Sequence, residues 1–246
     1  MATARTSEHP SLVARTAVVT GASRGIGLAV ATALVRSGVR TYMLARNNEK
    51  LVAAAATLGN LAMPHRCDVS DAAQVRDVVA AITTDLAGAP DVLVNNAGLF
   101  PLAPIEDTSV VQFEEAVRVN LVAPFHLTRA FLPDMRRRGS GHIVLIGSVA
   151  DRNVFPGNAT YAATKFGARA MHEALRMETR GSGVRTTLIA PSATDTPIWD
   201  PVDPDNREGF TRRADMLQPD AVADAVIWTL SRPDAVNIDE LRLSRS

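Results

Sequence analysis

The stretch VVTGASRGIGLAVATAL, residues 18–34, joins an apolar run to a helical pattern through three glycines. Gly21, Gly25 and Gly27 follow the spacing G-x-x-x-G-x-G rather than the commoner G-x-G-x-x-G. Glycines at such a junction let the turn tighten and let the backbone approach a pyrophosphate at the helix N-terminus. A structural turn uses the same residues, but the strand before it and the helix after it favour a nucleotide site. We predict that this loop binds a nucleotide through Gly21, Ser23, Arg24, Gly25, Ile26 and Gly27.

The rest of the chain alternates short apolar runs with helical stretches. Strand patterns occupy residues 16–20, 40–45, 61–66, 91–95, 142–147, 184–190 and 238–243. Helical patterns lie between them, at residues 25–37, 47–58, 71–87, 109–119, 123–138, 159–180 and 219–231. Nearly continuous apolar strands are typical of a parallel sheet that is covered on both faces. The alternation predicts an α/β fold, with one doubly wound, Rossmann-type domain and a seven-stranded parallel sheet flanked by helices on both faces.

The chain has no internal repeat and no break in composition, which favours a single domain. We predict that this domain covers residues 15–246 and that residues 1–14 form a flexible N-terminal arm. Residues 191–215 are rich in proline and mixed in charge, with weak periodicity. A long irregular loop inside a compact domain is usually functional or disordered. Because it leaves the carboxyl end of a strand, we expect a substrate lid near residues 192–215, with one or two short helices.

Composition excludes several classes of function. The chain has 26 basic and 26 acidic residues, which argues against electrostatic binding to nucleic acid or a membrane. No apolar run is long enough to span a membrane, and residues 1–15 lack the apolar core of a signal peptide. Cys67 is the single cysteine, so no disulfide can form within the chain. We therefore expect a cytoplasmic protein, and we predict no metal site.

The second strand pattern ends in a way that bears on the cofactor. An NAD-binding domain usually carries an acidic residue here, about 20 residues after the glycine loop, to hold the ribose 2′-hydroxyl. This chain instead has Arg46, with Arg24 in the glycine loop on the same side. Guanidinium groups suit a 2′-phosphate, although both arginines could simply be solvated. We therefore favour NADP(H) over NAD(H) as the cofactor.

Two further strand ends supply candidate cofactor contacts. Asp68 and Val69 follow the third strand and could bracket an adenine ring, although Asp68 could instead cap the next helix. The fourth strand ends in LVNNAG, residues 93–98, whose small polar residues suit a close approach of the backbone to a ligand. From this segment we select Asn95, Ala97 and Gly98.

A pair of rare residues lies in the predicted helix 159–180. The chain has two tyrosines and two lysines, and Tyr161 and Lys165 are four positions apart. On a helix this spacing places both side chains on one face. The pair could be a chance i,i+4 contact worth a few tenths of a kcal/mol, or a phenol made labile by an ammonium group. Spacing alone leaves both interpretations open.

Five motifs in register with the strand ends are similar to those of the short-chain dehydrogenase/reductase family, in its NADP(H)-preferring members of about 250 residues. They are TGASRGIG at 20–27, NNAG at 95–98, Asn120 in VRVNLVAP, Ser148 in VLIGSVA, and YAATK at 161–165. The resemblance runs from residue 16 to residue 243. It implies an NADP(H)-dependent oxidoreductase that interconverts a carbonyl and a secondary alcohol.

The resemblance also implies roles for the catalytic residues. Tyr161 would be the general acid/base, and Lys165 would lower the pKa of its phenol and hold the nicotinamide ribose. Ser148 would hold the substrate oxygen, and Asn120 would hold a water that links Lys165 to solvent. Each residue also has a structural alternative: a half-buried helix residue for Tyr161, a turn residue for Ser148, and a kink or cap for Asn120.

The chain departs from the family pattern after the strand 184–190. The usual Pro-Gly is Pro191-Ser192 here, and Thr194 replaces an aliphatic residue. The resemblance still implies that Pro191, Thr194 and Thr196 contact the cofactor. The C-terminus also lacks the Gly-Gly typical of many ketoacyl-carrier reductases, which weakens a 3-oxoacyl-thioester reductase as an alternative. A second alternative is a catalytically silent NADP(H)-binding regulator, but Tyr161 and Lys165 are both present.

The substrate pocket and the assembly follow from the same resemblance. We predict a largely apolar pocket formed by Phe100, Ser148, Phe155 and Trp199, open to a small-molecule carbonyl or alcohol. In this family the helices equivalent to 123–138 and 159–180 pair across a dimer interface. A homodimer or homotetramer is therefore expected, with exposed-face candidates at Phe131, Phe166 and Met171.

Overall fold

The structure is a computed structural model that describes Leu12 and residues 15–246. The predicted arm, residues 1–14, lies outside the described residues except for Leu12, which is buried against the core. Over the described part of the chain, no helix is long and apolar enough to cross a membrane.

Seven strands form one sheet within the described residues, and every pairing is parallel. Their order across the sheet is β3-β2-β1-β4-β5-β6-β7. The bounds are β1 Thr16–Thr20, β2 Arg40–Ala45, β3 Ala62–Arg66, β4 Val92–Asn95, β5 Gly141–Ile146, β6 Val184–Pro191 and β7 Glu240–Leu243. The predicted seven-stranded parallel sheet is confirmed. The order reverses between β1 and β4, which is where doubly wound sheets open a ligand crevice.

Helices cover both faces of this sheet. They are α1 Gly25–Arg36, α2 Asn48–Leu58, α3 Ala72–Leu86, α4 Val110–Val117, α5 Ala123–Arg138, α6 Ala159–Glu178 and α7 Pro219–Leu230. One core cluster joins Leu34 of α1 and Val226 of α7 to the sheet, and a second joins Ile82 of α3 and Phe131 of α5 to the other face. The apolar strands are therefore buried on both sides, which is why their sequences are nearly continuous apolar runs.

The helix pattern around Asn120 differs from the prediction of two separate helices. Residues Arg118–Val122 form one π-helical turn that joins α4 to α5 without a break. Such a turn admits one extra residue, and π-turns occur often at functional sites. Asn120 is buried within this turn.

Residues 192–215 contain three short 3₁₀ turns, Pro197–Trp199, Pro204–Asn206 and Arg213–Asp215, rather than the expected one or two helices. Prolines begin the first two turns, as their fixed φ favours. Arg213 binds the segment together, because its guanidinium donates to Asp195 at 2.8 Å and to Asp200 at 2.6 Å.

The expectation of an exposed face at Phe131 is wrong. Its side chain is 1% exposed because α5 turns this residue toward the sheet, where it joins the core beside α3. Phe125, six residues earlier on the same helix, is 50% exposed instead. Phe166 and Met171 on α6 are partly buried.

Candidate active site

A cleft of about 840 Å³ opens at the carboxyl ends of the strands. It begins at the turn between β1 and α1, passes the ends of β2 and β3, and continues past the ends of β4, β5 and β6 to the segment 192–211. This places the cleft across the point where the strand order reverses, as expected for a dinucleotide site. The volume lies within the usual range for a ligand pocket.

The glycine loop has the geometry that its sequence predicts. Gly21 and Gly25 have φ values of +67° and +56°, a region that residues with a Cβ seldom adopt. A Cβ added to Gly27 would lie 2.3 Å from the carbonyl oxygen of Gly21. Gly27 therefore allows α1 to pack closely under the loop and does not itself line the cleft. The loop fits a pyrophosphate group at the N-terminus of α1.

Fifteen of the predicted cofactor residues line this one cleft. They are Gly21, Ser23, Arg24, Gly25, Ile26, Arg46, Asp68, Val69, Ala97, Gly98, Tyr161, Lys165, Pro191, Thr194 and Thr196. These residues come from elements that are far apart in the chain, and the sheet brings their ends together.

The selection of Asn95 as a cofactor contact requires correction. Asn95 is the last residue of β4 and is buried, and its amide lies 3.3 Å from the hydroxyl of Thr128 on α5. Successive side chains of a strand point to opposite faces, so the next residue lies on the other side. That residue, Asn96, lines the cleft and donates to the carbonyl oxygen of Thr20 at 2.8 Å.

Three cations line the cleft, one in the glycine loop and two just after β2. Arg24, Arg46 and Lys50 are all part of its wall. Arg46 also lies 3.5 Å from Glu115 in a half-exposed ion pair, so a neighbouring carboxylate already attracts its guanidinium. Lys50 was missed in the sequence, although it is one of only two lysines in a chain otherwise rich in arginine. It projects from the first turn of α2, whose N-cap is Asn47.

Asp68 could either contact the cofactor or cap helix α3, and the structure gives the cap to a different residue. Asp71 is the N-cap of α3, where its carboxylate accepts from the backbone of Ala73 and Gln74. Asp68 instead accepts from the Ser70 backbone at 2.9 Å and hydroxyl at 2.7 Å, and it lines the cleft. Asp68 is therefore held in place beside the cleft without capping the helix.

Tyr161 and Lys165 lie one turn apart on α6, at the centre of the cleft wall. Lys165 is buried, and its Nζ lies 5.6 Å from the ring centroid of Tyr161 and donates to the Ile146 carbonyl at 3.0 Å. Burial lowers the pKa of Lys165 to about 8, although the charge of Asp151 acts in the opposite direction. Burial raises the pKa of Tyr161 to about 12, while Ser148 acts to lower it. In the protein alone, burial therefore outweighs any acidifying effect of the lysine on the phenol.

Ser148 follows β5 and lines the cleft beside Tyr161. Its backbone is extended, and its hydroxyl accepts from the Ala150 backbone at 3.1 Å, capping the 3₁₀ turn Val149–Asp151. Ser148 is thus both a turn residue and a hydroxyl presented to the cleft.

Asn120 does not line the cleft. Its amide donates to the Leu99 carbonyl and to the Thr164 hydroxyl, each at 2.9 Å, and its Oδ1 accepts from the Leu99 backbone at 2.8 Å. Both amide hydrogens are therefore bound by protein groups. Asn120 supports the segment that follows β4, and its predicted role in holding a water stays a prediction.

Aromatic rings enclose the end of the cleft beyond Tyr161. The centroid of Phe100 lies 4.7 Å from that of Tyr161 and 5.0 Å from that of Trp199. Phe210 was missed in the sequence, because it lies in an irregular segment without periodicity. It joins Phe155 and Trp199, with both centroid distances at 6.3 Å. The Trp199 indole donates to the Thr194 carbonyl at 3.0 Å, which fixes the ring over the cleft.

The chain is similar to known oxidoreductases in both sequence and structure. The family model described as short chain dehydrogenase matches residues 15–207. A glycine betaine reductase, ATRR, of Emericella nidulans is 37% identical over 94% of this chain, which spans only 18% of that longer protein. A metagenomic short-chain oxidoreductase solved with NADP is 32% identical, with 96% of this chain and 99% of that one covered and a TM-score of 0.83.

An alcohol dehydrogenase from the archaeon Thermococcus sibiricus, solved with 5-hydroxy-NADP, is 33% identical. The match covers 93% of this chain and 95% of that one, with a TM-score of 0.83. The chain therefore belongs to the short-chain dehydrogenase family and is an oxidoreductase.

Proposed function

We propose that the protein is an NADP(H)-dependent oxidoreductase that interconverts a carbonyl compound and a secondary alcohol, with Tyr161 as the general acid/base. One observation carries the proposal. Tyr161, Lys165 and Ser148 line the same cleft as the glycine loop, at the point where the aromatic end begins. A reacting carbonyl between these groups would meet a phenol, a hydroxyl and the cofactor site together.

Each side chain at the centre of the cleft has its own role in the proposed reaction. The nicotinamide cofactor, when bound, supplies or accepts the hydride. In reduction the Tyr161 hydroxyl donates a proton to the carbonyl oxygen, and Ser148 holds that oxygen in place. Burial raises the pKa of Tyr161 to about 12, so the phenol is protonated at neutral pH, as a proton donor must be. Lys165, partly protonated near its pKa of about 8, helps to replace the proton that the phenol gives up.

The preference for NADP(H) is supported by the three cations that line the cleft. Arg24 of the glycine loop and Arg46 and Lys50 just after β2 all line the cleft, and the chain has no acidic residue directly at the end of β2. Arg46 pairs with Glu115 in the protein alone, at 3.5 Å. Guanidinium and ammonium groups suit a phosphate, whereas a ribose 2′-hydroxyl is usually held by an acidic side chain. The two solved relatives named above were bound to NADP or a derivative of it.

The substrate end favours a carbonyl compound with a bulky apolar group. Phe100, Phe155, Trp199 and Phe210 form its walls, and Pro156 and Ile198 extend them. Such a wall gains free energy mainly by removing apolar substrate surface from water. A 3-oxoacyl-thioester reductase and a silent NADP(H)-binding regulator remain the alternatives. The aromatic wall also makes a cationic head group worth testing, because aromatic faces attract cations.

The proposal includes a cytoplasmic homodimer or homotetramer. Exposed apolar side chains on α5 and on the preceding helix support a pairing of α5 and α6 between subunits. They are Phe125 on α5 and Val110, Val111 and Phe113 on α4. Sedimentation equilibrium of the purified chain tests the assembly.

The function is tested by following NADPH oxidation against a panel of aryl ketones, small ketones, aldehydes, keto esters and a thioester mimic. Betaine aldehyde and 3,3-dimethylbutanal form a matched pair, because they carry a cationic and a neutral head group of the same shape. We expect aryl ketones to turn over fastest. Preferred turnover of the thioester would favour the first alternative, and no turnover of any member would favour the regulator.

A further inference from the structure

A buried carboxylate lies three residues beyond Ser148 and has no part in the proposed chemistry. Asp151 ends the 3₁₀ turn Val149–Asp151, and its side chain is 0% exposed. One oxygen, Oδ1, lies 2.9 Å from the guanidinium of Arg242 on β7. The other, Oδ2, has no hydrogen-bond partner among the residues that the structure describes. A buried charge is costly unless it is paired, so this arrangement calls for a physical explanation.

The pair belongs to a short chain of charges between the turn and the edge strand. Glu240 on β7 accepts from Arg242 and from Arg152, each at 2.6 Å. On the other side, the guanidinium of Arg169 on α6 donates to the Asp151 backbone carbonyl at 3.2 Å. The turn is therefore fastened to β7 by its side chain and to α6 by its backbone.

This turn carries the groups that face the cleft. The backbone amide of Asp151 donates to the Ser148 carbonyl at 3.0 Å. The unpartnered Oδ2 lies beside Gly147, 3.6 Å from the position that a Cβ would take there. Ile146, one residue earlier, supplies the carbonyl that accepts from Lys165. Asp151 thus lies directly against the segment that holds both Ser148 and Lys165.

We propose that the buried carboxylate of Asp151 and the partly exposed guanidinium of Arg242 form a charge pair that positions the Ser148 turn and supplies negative charge to the Tyr161–Lys165 centre. Both are positioning residues, because neither reaches the cleft. The charged and titratable groups that surround Asp151 are Arg242 and Glu240 of β7, Arg152 of its own turn, and Tyr161, Lys165 and Arg169 of α6. A negative charge at this site favours the protonated forms of Lys165 and Tyr161.

The test uses the rarity of lysine in this chain. With isotopically labelled lysine, NMR of the protein without cofactor or substrate gives signals from Lys50 and Lys165, and Lys50→Arg assigns them. We expect Asp151→Asn to lower the pKa of Lys165 from about 8 by about one unit, because a negative neighbour is lost. Arg152→Gln, which breaks the outer, half-exposed ion pair, is the matched control and leaves the titration unchanged.

The role of Arg242 is tested by stability, because an unpaired buried carboxylate is strongly destabilising. We expect Arg242→Met to lower the urea midpoint well below that of Arg152→Gln, and the double variant Asp151→Asn/Arg242→Met to recover most of the loss. If Arg242→Met does not fold, Arg242→Gln replaces it, both as the single variant and in the double variant with Asp151→Asn. An unchanged Lys165 titration in Asp151→Asn, or no recovery in the double variant, would overturn the proposal.

The kinetic consequence rests on the proposed function, whereas the titration and the unfolding measurements do not. If the protein reduces an aryl ketone with NADPH, Asp151→Asn is expected to move the alkaline limb of its pH–rate profile to lower pH, in parallel with the NMR titration. An inactive protein with a shifted Lys165 titration would contradict the function and leave the charge pair intact.

Discussion

The side chain of Asn120 binds both backbone groups of Leu99, at 2.8 Å to the amide nitrogen and 2.9 Å to the carbonyl oxygen. Leu99 follows the NNAG motif and lines the cleft, so this contact fixes the segment between β4 and α4. The π-turn Arg118–Val122 brings the amide to this position. The Asn120 side chain therefore holds the backbone of Leu99, and the water-holding role implied by the family resemblance stays a prediction.

Asn120→Ala is expected to lower the free energy of unfolding by about 2–3 kcal/mol, because it leaves buried polar groups of Leu99 and Thr164 unpaired. Thr164→Val is the graded control, since it removes one of the three hydrogen bonds to Asn120 and is expected to cost about 1 kcal/mol. Urea unfolding measures both. Equal losses in the two variants would contradict this role of Asn120.

Tyr161→Phe is expected to reduce kcat by about 10³-fold or more while the affinity for NADPH stays nearly unchanged, because only the proton donor is removed. Single-turnover kinetics and fluorescence titration of NADPH separate the two effects. Tyr42→Phe is the matched control, because Tyr42 is the other tyrosine, donates to Asp85 and does not line the cleft. Activity retained in Tyr161→Phe would refute the assignment.

Arg46→Asp is expected to weaken NADPH binding by about tenfold or more and NADH binding far less, since only NADPH carries the 2′-phosphate. Isothermal titration with both cofactors measures the difference. Arg66→Asp is the control, because Arg66 ends the adjacent strand β3, is exposed and does not line the cleft. An equal effect of Arg46→Asp on both cofactors would count against the 2′-phosphate role.

Trp199→Ala and Phe210→Ala are each expected to raise the KM for an aryl ketone by about tenfold, because each removes apolar surface from the substrate wall. Their effect on a small ketone such as acetone should be much weaker. Trp228→Ala is the control, since this other tryptophan is 44% exposed on α7 and outside the cleft. A similar rise in KM for both ketones would place these rings outside the substrate site.

His172 makes stability depend on pH. Burial lowers its pKa from 6.5 to about 4, and its Nε2 has no hydrogen-bond partner within the described part of the chain. Between these values the unfolded chain binds the proton and the folded chain does not, so stability falls as the pH drops from about 6.5 to about 4. His172 accounts for up to roughly 3 kcal/mol of that loss. Burial lowers the pKa of His142 as well, so the wild type loses further stability there.

The measurement is urea unfolding at several pH values. His172→Gln should lose less stability than the wild type over this range, whereas His126→Gln, on the partly exposed surface of α5, should follow the wild type. Parallel curves for His172→Gln and the wild type would contradict the prediction.

The fold and most of the residues that line the cofactor cleft could be predicted from the amino-acid sequence. Apolar runs of strand length and the glycines after β1 are local signals, since they reflect burial on both faces and a backbone turn with positive φ. The selection of Arg46, Tyr161 and Lys165 as residues of one cleft also follows from their places at strand ends or on the adjoining helix, because parallel strands bring those ends to one edge.

Two features depend on how the elements pack together: which of two neighbouring side chains faces the cleft, and which residues far apart in the chain come into contact. Asn96 lines the cleft and Asn95 does not, because successive side chains at the end of β4 point to opposite faces of the sheet. Asp151 and Arg242 are 91 residues apart and pair only because the sheet places β7 beside β6 and under the Ser148 turn. Such contacts leave no periodic signal in the sequence, since each depends on the packing of elements that fold together from different parts of the chain.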